Sequence, residues 1–432
     1  MDQGPALHLV HFVSSAFIRL WLRLPRWNKC GLALLGLAGS LALVPVAQAQ
    51  RRPHIGYTYP AGGQQATTVQ IKLGGQDLDE VNAVLVTGSG VTARVVEYYR
   101  RLNNQEIQLL NEQLRELKRP TKAAATPPTA EKAPAGSGNV ESVPELIAKI
   151  ERRTREWVQT PACASISSLV FVEITIAPEA ELGVRELRLA TPRGVSNPLP
   201  FHVGQLQEYA RKPMGTALIQ VLGKEVLALR KRPAGEAEAR VALPCTVNGQ
   251  IASGEVNRYR FEASKGQRLV ISTQARQLIP YIADAVPGWF QPVLVLSNAQ
   301  GKEVAFADDY RFKPDPVILY QVPEDGEYVV AIHDSIYRGR EDFVYRVTLG
   351  DLPFVTSLFP LGGQAGAALP PDMAGWNIQD AALELAAPPP GPTSGLPALF
   401  ASRLGYESNH LPFALDSLPD AIDHEPHNSA AT

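Results

Sequence analysis

Residues 257–271 run Asn257-Arg258-Tyr259-Arg260-Phe261-Glu262-Ala263-Ser264-Lys265-Gly266-Gln267-Arg268-Leu269-Val270-Ile271. Tyr259 and Phe261 alternate with Arg258, Arg260 and Glu262. That period of two puts one strand face into a core and the other into water. Lys265-Gly266-Gln267 supplies a turn, and Leu269 and Ile271 resume the alternation. The pattern continues downstream in Val293 and Val295, Val304 and Phe306, Tyr328, Val330 and Ile332, then Phe343, Tyr345, Val347 and Leu349. Turn residues at 298–301 and 323–326 separate these runs. Several short antiparallel strands at such spacing predict a sandwich or jelly roll over residues 246–350.

An earlier β-run covers residues 54–204. Val69, Ile71 and Leu73 alternate before the Gly74-Gly75 turn, followed by Val84 and Val86, then Val91, Ala93 and Val95. Val170, Val172, Ile174 and Ile176 share one face, with Glu173 and Thr175 on the other. Leu187 and Leu189, then Leu199, Phe201 and Val203, close the region. Between the two parts, about 101–160, the period changes. Ile107, Leu110, Leu114 and Leu117 make one helical stripe, and Asn103 with Glu106 forms a capping box. A linker of Ala, Pro, Thr and Lys (120–140) is too poor in large apolar groups to fold. A second helix is predicted from Ser142 to Gln159, with Ser142 and Glu145 as its capping box. Its apolar line is Leu146, Ile147, Ile150, Trp157 and Val158. The expectation is a helical hairpin inserted in one β-domain, its seams packed on each other. A partner-binding coiled coil is the alternative. Residues 205–245 read as a connector, with a helix near 217–229.

The chain repeats itself. Tyr59-Pro60-Ala61-Gly62-Gly63-Gln64 recurs as Phe359-Pro360-Leu361-Gly362-Gly363-Gln364, and Ser196-Asn197-Pro198-Leu199-Pro200-Phe201 as Ser408-Asn409-His410-Leu411-Pro412-Phe413. The order is the same both times, so residues 351–415 read as a shortened copy of the first module. The fold class that follows is all-β: tandem β-sandwiches, immunoglobulin-like and then jelly-roll-like, with a helical hairpin inserted in the first.

At the N-terminus, Arg19, Arg23, Arg26 and Lys29 precede an uncharged apolar run, Gly31 to Val46, and Ala47-Gln48-Ala49 ends it with small residues. This is the pattern of a secretory signal peptide cleaved after Ala49. The run is shorter than the ~20 residues of a spanning helix, and no other stretch approaches one. The mature chain is therefore expected to lack a transmembrane segment and to be secreted, periplasmic or held at the cell surface. The 36 prolines in 432 residues, about 8% against a usual ~5%, favour short strands and turns over long helices. Net charge is −2, with no basic stripe, which argues against nucleic acid as a partner. Export permits a Cys163–Cys245 disulfide, and two buried free thiols fit the sequence equally.

Two family resemblances follow from these residues. Segment 54–204 resembles an immunoglobulin-like domain of the IPT/TIG kind in its opening Tyr57–Gly63, its Gly74-Gly75-Gln76-Asp77-Leu78 turn and its close Gly194–Phe201. Segment 246–350 resembles the bacterial pre-peptidase C-terminal domain. Asn248-Gly249-Gln250, Asn257–Phe261, Gly266-Gln267, Asp325-Gly326-Glu327-Tyr328 and Tyr345-Arg346-Val347 carry that match. The tail, 416–432, is similar to the opening of another such domain. The arrangement resembles large exported bacterial proteins in which these modules alternate. The second resemblance implies an accessory to peptidases and not a catalyst.

The sequence holds neither a Gly-x-Ser-x-Gly elbow nor a His-Glu-x-x-His helix, so no enzyme activity is expected. Asp308, Asp309 and Asp334, with Asp315, Glu341 and Asp342, lie near strand ends. Hard oxygen ligands on loops suit Ca²⁺, although aspartates also cap turns. Trp289 and Phe290 place two aromatics in a loop where a ligand could stack, or where they plug the core. The expected function is an exported, non-catalytic binding or adhesion protein of the bacterial envelope, its partner an envelope protein or a polysaccharide. The alternatives are an accessory region of a secreted peptidase and a structural spacer.

Overall fold

The computed structural model describes residues 52–119, 142–156, 166–212, 238–279, 290–366, 372–386 and 396–418. The expectations for the leader, the 120–140 linker, Trp157, Val158, Cys163, the 217–229 helix, Trp289 and the tail beyond 418 fall outside them.

Over 54–204 the period-two pattern folds into two sheets. One has the order His54–Tyr59, Thr68–Gln76, Ser168–Ile176, Val91–Tyr99, and the other Gly62–Gln64, Leu199–Gly204, Gly183–Thr191, Ala83–Val86. Their inward residues close one core: Ile55, Ile71, Leu73, Val170, Val172, Ile174 and Ile176 from the first meet Leu187, Leu189, Leu199, Phe201 and Val203 from the second. The helices fill the connection between Val91–Tyr99 and Ser168–Ile176, which are antiparallel neighbours with Tyr99 opposite Leu169.

Helix α1, Asn104–Lys118, starts at the predicted box: Glu106 N–H donates to Asn103 Oδ1, and Asn103 N–H to Glu106 Oε2, both at 2.9 Å. Helix α2, Val143–Arg155, opens with Ser142 N–H donating to Glu145 Oε2 at 2.9 Å. Ile107 and Ile150 are the buried members of the two stripes. Lys72 Nζ meets Glu156 Oε2 at 2.5 Å, and the Arg153 guanidinium lies 4.5 Å from the Tyr99 ring centre. The pair is thus fastened to the sandwich by polar contacts at its base.

Strands Asn257–Ala263 and Arg268–Gln274 fall in opposite sheets of a second sandwich, so the Lys265-Gly266-Gln267 turn crosses between layers. One sheet orders Gln207–Ala210, Cys245–Gln250, Val344–Gly350, Arg268–Gln274, Val317–Gln321. The other orders Glu238–Arg240, Asn257–Ala263, Gly326–Asp334, Pro292–Ser297, Glu303–Ala307. The described parts of the connector are not passive. Gln207–Ala210 and Glu238–Arg240 each add a parallel edge strand, one per sheet. Cys245 is a buried free thiol whose pKa burial pushes up to about 12.

A smaller third set of strands follows. Phe354–Phe359 pairs with Asp372–Trp376, Gly362–Gln364 runs parallel to Ala414–Asp416, and Ala382–Ala386 pairs with Ala398–Arg403. Leu358, Leu399 and Phe413 are its buried core. Its hydrogen bonds match those of the first sandwich. Ile55 N–H donates to Asn197 Oδ1 at 2.8 Å and Asn197 Nδ2 to Ile55 O at 2.9 Å; Val355 and Asn409 do the same at 2.7 and 3.0 Å. Ser196 Oγ accepts from Leu189 N–H and Ser408 Oγ from Ala401 N–H, each at 2.9 Å.

Candidate functional site

The acidic set near Asp308 does not converge. Asp334 is wholly buried and accepts five N–H bonds. Three come from the backbone of Gln291, Ile336 and Arg338 at 3.1, 3.2 and 3.0 Å, and two from the Arg338 guanidinium at 3.1 Å. A carboxylate offers roughly four lone-pair sites, so Asp334 has no vertex left for a cation. Asp315 accepts the N–H groups of Arg276 and Gln277 and anchors the short 3-10 turn there. Asp342 is paired through both oxygens with Arg340 at 2.9 Å. Burial pushes both of these carboxyls above the ordinary range, against their hydrogen bonds. Asp308 and Asp309 remain exposed beside the Tyr310–Lys313 bridge. Among the described residues no group of three or more His, Cys, Asp or Glu is placed to hold a metal. The calcium expectation for Asp334 is therefore corrected: its carboxylate caps a loop and neutralises an arginine.

Of the two readings of Phe290, the structure shows the core plug. It is 2% exposed and stacked on Phe343, ring centres 5.1 Å apart, so it plugs the end of the sandwich and offers no ring to a ligand. The loop's aromatic pair gave no means of telling a platform from a plug, because the deciding neighbour lies far along the chain.

A polar constellation that the sequence did not flag lies where the first two sandwiches meet. The Tyr59 hydroxyl donates to Arg211 O at 2.6 Å and lies 3.2 Å from Asn248 O. Arg346 pairs with Glu208 through both nitrogens, at 2.9 and 3.1 Å, and Asn248 Nδ2 donates to the same carboxylate at 2.8 Å. Gly62 lies against this guanidinium: a Cβ there would sit 1.7 Å from Arg346 Nη1. His202 is buried in the same seam, its Nε2 without a hydrogen-bond partner, and burial with the nearby Arg346 lowers its pKa to about 3. Deeper in, Tyr345 and Tyr259 share a hydroxyl contact of 2.6 Å, and Asn257 Nδ2 donates to Tyr345 at 2.9 Å. Burial holds the Tyr57 and Tyr345 phenols well above their ordinary pKa. The seam thus carries a fixed ion pair, a neutral imidazole and protonated phenols. That set is suited to holding two bodies together and not to moving protons near neutrality. Arg346 lies on the strand face opposite Tyr345 and Val347, a register that alternation reads as solvent-facing, and so the sequence pattern hid the seam.

No protein-family model matches the chain, and no curated protein does. Among solved structures it is similar to the pre-peptidase C-terminal domain of a collagenase from Bacillus anthracis, at 14% identity and a TM-score of 0.21, covering 28% of this chain and 99% of that one. It is also similar to PliG, a periplasmic inhibitor of g-type lysozyme from Aeromonas hydrophila, at 12% identity and a TM-score of 0.18, covering 26% and 96%. A third likeness is to the secreted serine protease VesC from Vibrio cholerae, at 10% identity and a TM-score of 0.17, covering 70% of this chain and 51% of that one. All three scores are low.

Proposed function

We propose that the chain is an exported, non-catalytic, multi-module binding or adhesion protein of the bacterial cell envelope. In this reading two IPT/TIG-like modules, 54–204 and 351–415, flank a pre-peptidase C-terminal-like sandwich, and the first two bodies form a stiff presenting unit. The observation that carries it is the joint. Tyr57, Tyr59, Ala61 and Ile166 of the first module are buried in one cluster with the core of the second. A shared core fixes spacing and orientation, which a scaffold needs and a flexibly tethered accessory does not. The matching bonds of Asn197 with Ile55 and of Asn409 with Val355 support duplication of the module.

The leader is part of the same reading. Protein from the native envelope should begin at Gln50 or within a few residues of it by mass spectrometry, and retention of Arg19–Lys29 would overturn export with cleavage. Function itself is tested by capture of envelope proteins and polysaccharides on the purified chain from residue 50. Reproducible enrichment of a glycan or surface protein is expected. The sequence resemblance of 246–350 supports a second reading, an accessory region of a secreted peptidase. Capture of a peptidase as the dominant partner would favour it and displace the first.

A further inference from the structure

We propose that the end of the third module formed by Phe359, Leu361, Asp416 and Leu418 is a docking face for a further β-sandwich of the kind made by residues 245–350. The guest would be seated as the second sandwich sits on the first module. The inference rests on reading the two flanking modules as copies. In the first copy, Tyr59 and Ala61 are each 2% exposed because the second sandwich covers them. Their counterparts Phe359 and Leu361 are 58% and 68% exposed, and Leu418, in the place of Leu206, is 68% exposed. The backbone beneath is the same. Gly62–Gln64 runs parallel to His202–Gly204, and Gly362–Gln364 to Ala414–Asp416; His202 N–H donates to Ala61 O at 2.9 Å, and Ala414 N–H to Leu361 O at 3.0 Å.

The substitutions describe the guest. Tyr59 becomes Phe359 and His202 becomes Ala414, so the face loses a hydroxyl and an imidazole and turns more apolar. Gly204, where a Cβ would lie 3.8 Å from Arg346 Nη2 and 3.3 Å from Glu208 Oε1, becomes the exposed Asp416. In the first joint the arginine's acid comes from the second sandwich's own edge strand. On the third module the host supplies the acid. A fitting guest therefore presents an arginine at that point and no carboxylate beside it, since two acids there would repel each other.

The test joins a second copy of residues 207–350 directly after Leu418, in place of residues 419–432, with Glu208→Gln in the added copy. Hydrogen exchange of the 361–365 and 414–416 amides is compared with that of the unextended chain. The expected result is slowing by about tenfold or more, reversed by Leu361→Ser or by Asp416→Asn, with the first module's amides unchanged. An added copy that keeps its own Glu208 should slow them less. An added copy that stays unfolded, or folds without slowing these amides, overturns the proposal. So does sedimentation showing that the unextended chain dimerises through a contact abolished by Leu361→Ser, or a loss of protection there on deleting residues 419–432. Each names a different occupant. Failure leaves the envelope-binding reading intact, because that capture uses the unextended chain.

Discussion

His202 carries a pH dependence that its position alone explains. Burial first, then the Arg346 charge, lower its pKa from 6.5 to about 3 in the folded chain. Between those two values the unfolded chain takes up a proton that the folded chain refuses. The stability contribution is therefore complete above the unfolded value and falls as the pH drops through the window, by at most about 1.4 kcal/mol per unit. Asp315 and Asp342, whose pKa values burial raises, work the other way: each favours the folded chain as the pH falls through its raised value. Urea titrations of wild type and His202→Asn from neutrality to about pH 4.5 separate the two, with a flatter acid limb expected for the variant. Superimposable pH profiles would remove the histidine from the account. Asp334 makes a second residue-scale prediction. Asp334→Ala strands three backbone N–H groups and takes the carboxylate from the Arg338 guanidinium, and should destabilise the chain by roughly 3 kcal/mol or more. Exchanging EDTA for millimolar Ca²⁺ should leave the wild-type melt where it is. A calcium-dependent rise that Asp308→Asn/Asp309→Asn abolishes would restore the metal site.

At the scale of elements, the helical insertion closes a connection between strands that already pair. With Tyr99 opposite Leu169, residues 101–160 should be replaceable by a short turn. Loop length changes closure entropy by only about 0.6 kcal/mol per doubling. The deletion removes the Arg152–Glu97 contact at 3.3 Å, the Arg153–Tyr99 stacking and the Glu156 partner of Lys72. The exposed Arg152–Glu97 pair contributes about 0–1 kcal/mol, whereas Lys72, 8% exposed, would be left as a buried ammonium. The expected outcome, by circular dichroism and chemical melts, is one cooperative transition at a somewhat lower midpoint. Lys72→Met should recover part of the loss, since it removes an ammonium left without its acid. Disappearance of the transition would mean that the helices complete the core. These elements were legible in the sequence because their signals are local. The alternation of Val170, Val172, Ile174 and Ile176 needs only neighbours two apart, and each capping box spans a single turn. The candidate site was not legible, for the opposite reason. Phe290 becomes a plug only when Phe343 is brought beside it, and the Tyr59–Asn248 and Arg346–Gly62 approaches join modules whose separate patterns say nothing of each other.

For the whole molecule, the question is whether the first two sandwiches behave as one body. Their buried side chains form a single cluster in which Tyr57, Tyr59 and Ala61 lie with Val247, Tyr345 and Val347. Opening the joint would bare those aromatics and expose to water the Arg346–Glu208 pair, whose side chains are only 5% and 11% exposed. Loss of one module should then cost the other part of its own core, which couples their unfolding. Calorimetry should show them melting in one transition. Gly62→Ala tests the origin of that coupling. Its Cβ would lie 1.7 Å from Arg346 Nη1 and 2.6 Å from His202 O, so the guanidinium must leave the seam. Gly362→Ala is the control: its Cβ meets Ala414, at 2.7 Å from the carbonyl oxygen and 3.1 Å from Cβ, within its own module. Both variants crowd a partner strand, but only the first reaches across a joint. Gly62→Ala should therefore split the shared transition in two, with the first sandwich leaving earlier, while Gly362→Ala leaves that transition single. A wild-type thermogram already resolved into two independent peaks would show that the shared cluster does not couple the modules, and the stiff presenting unit would lose its physical basis.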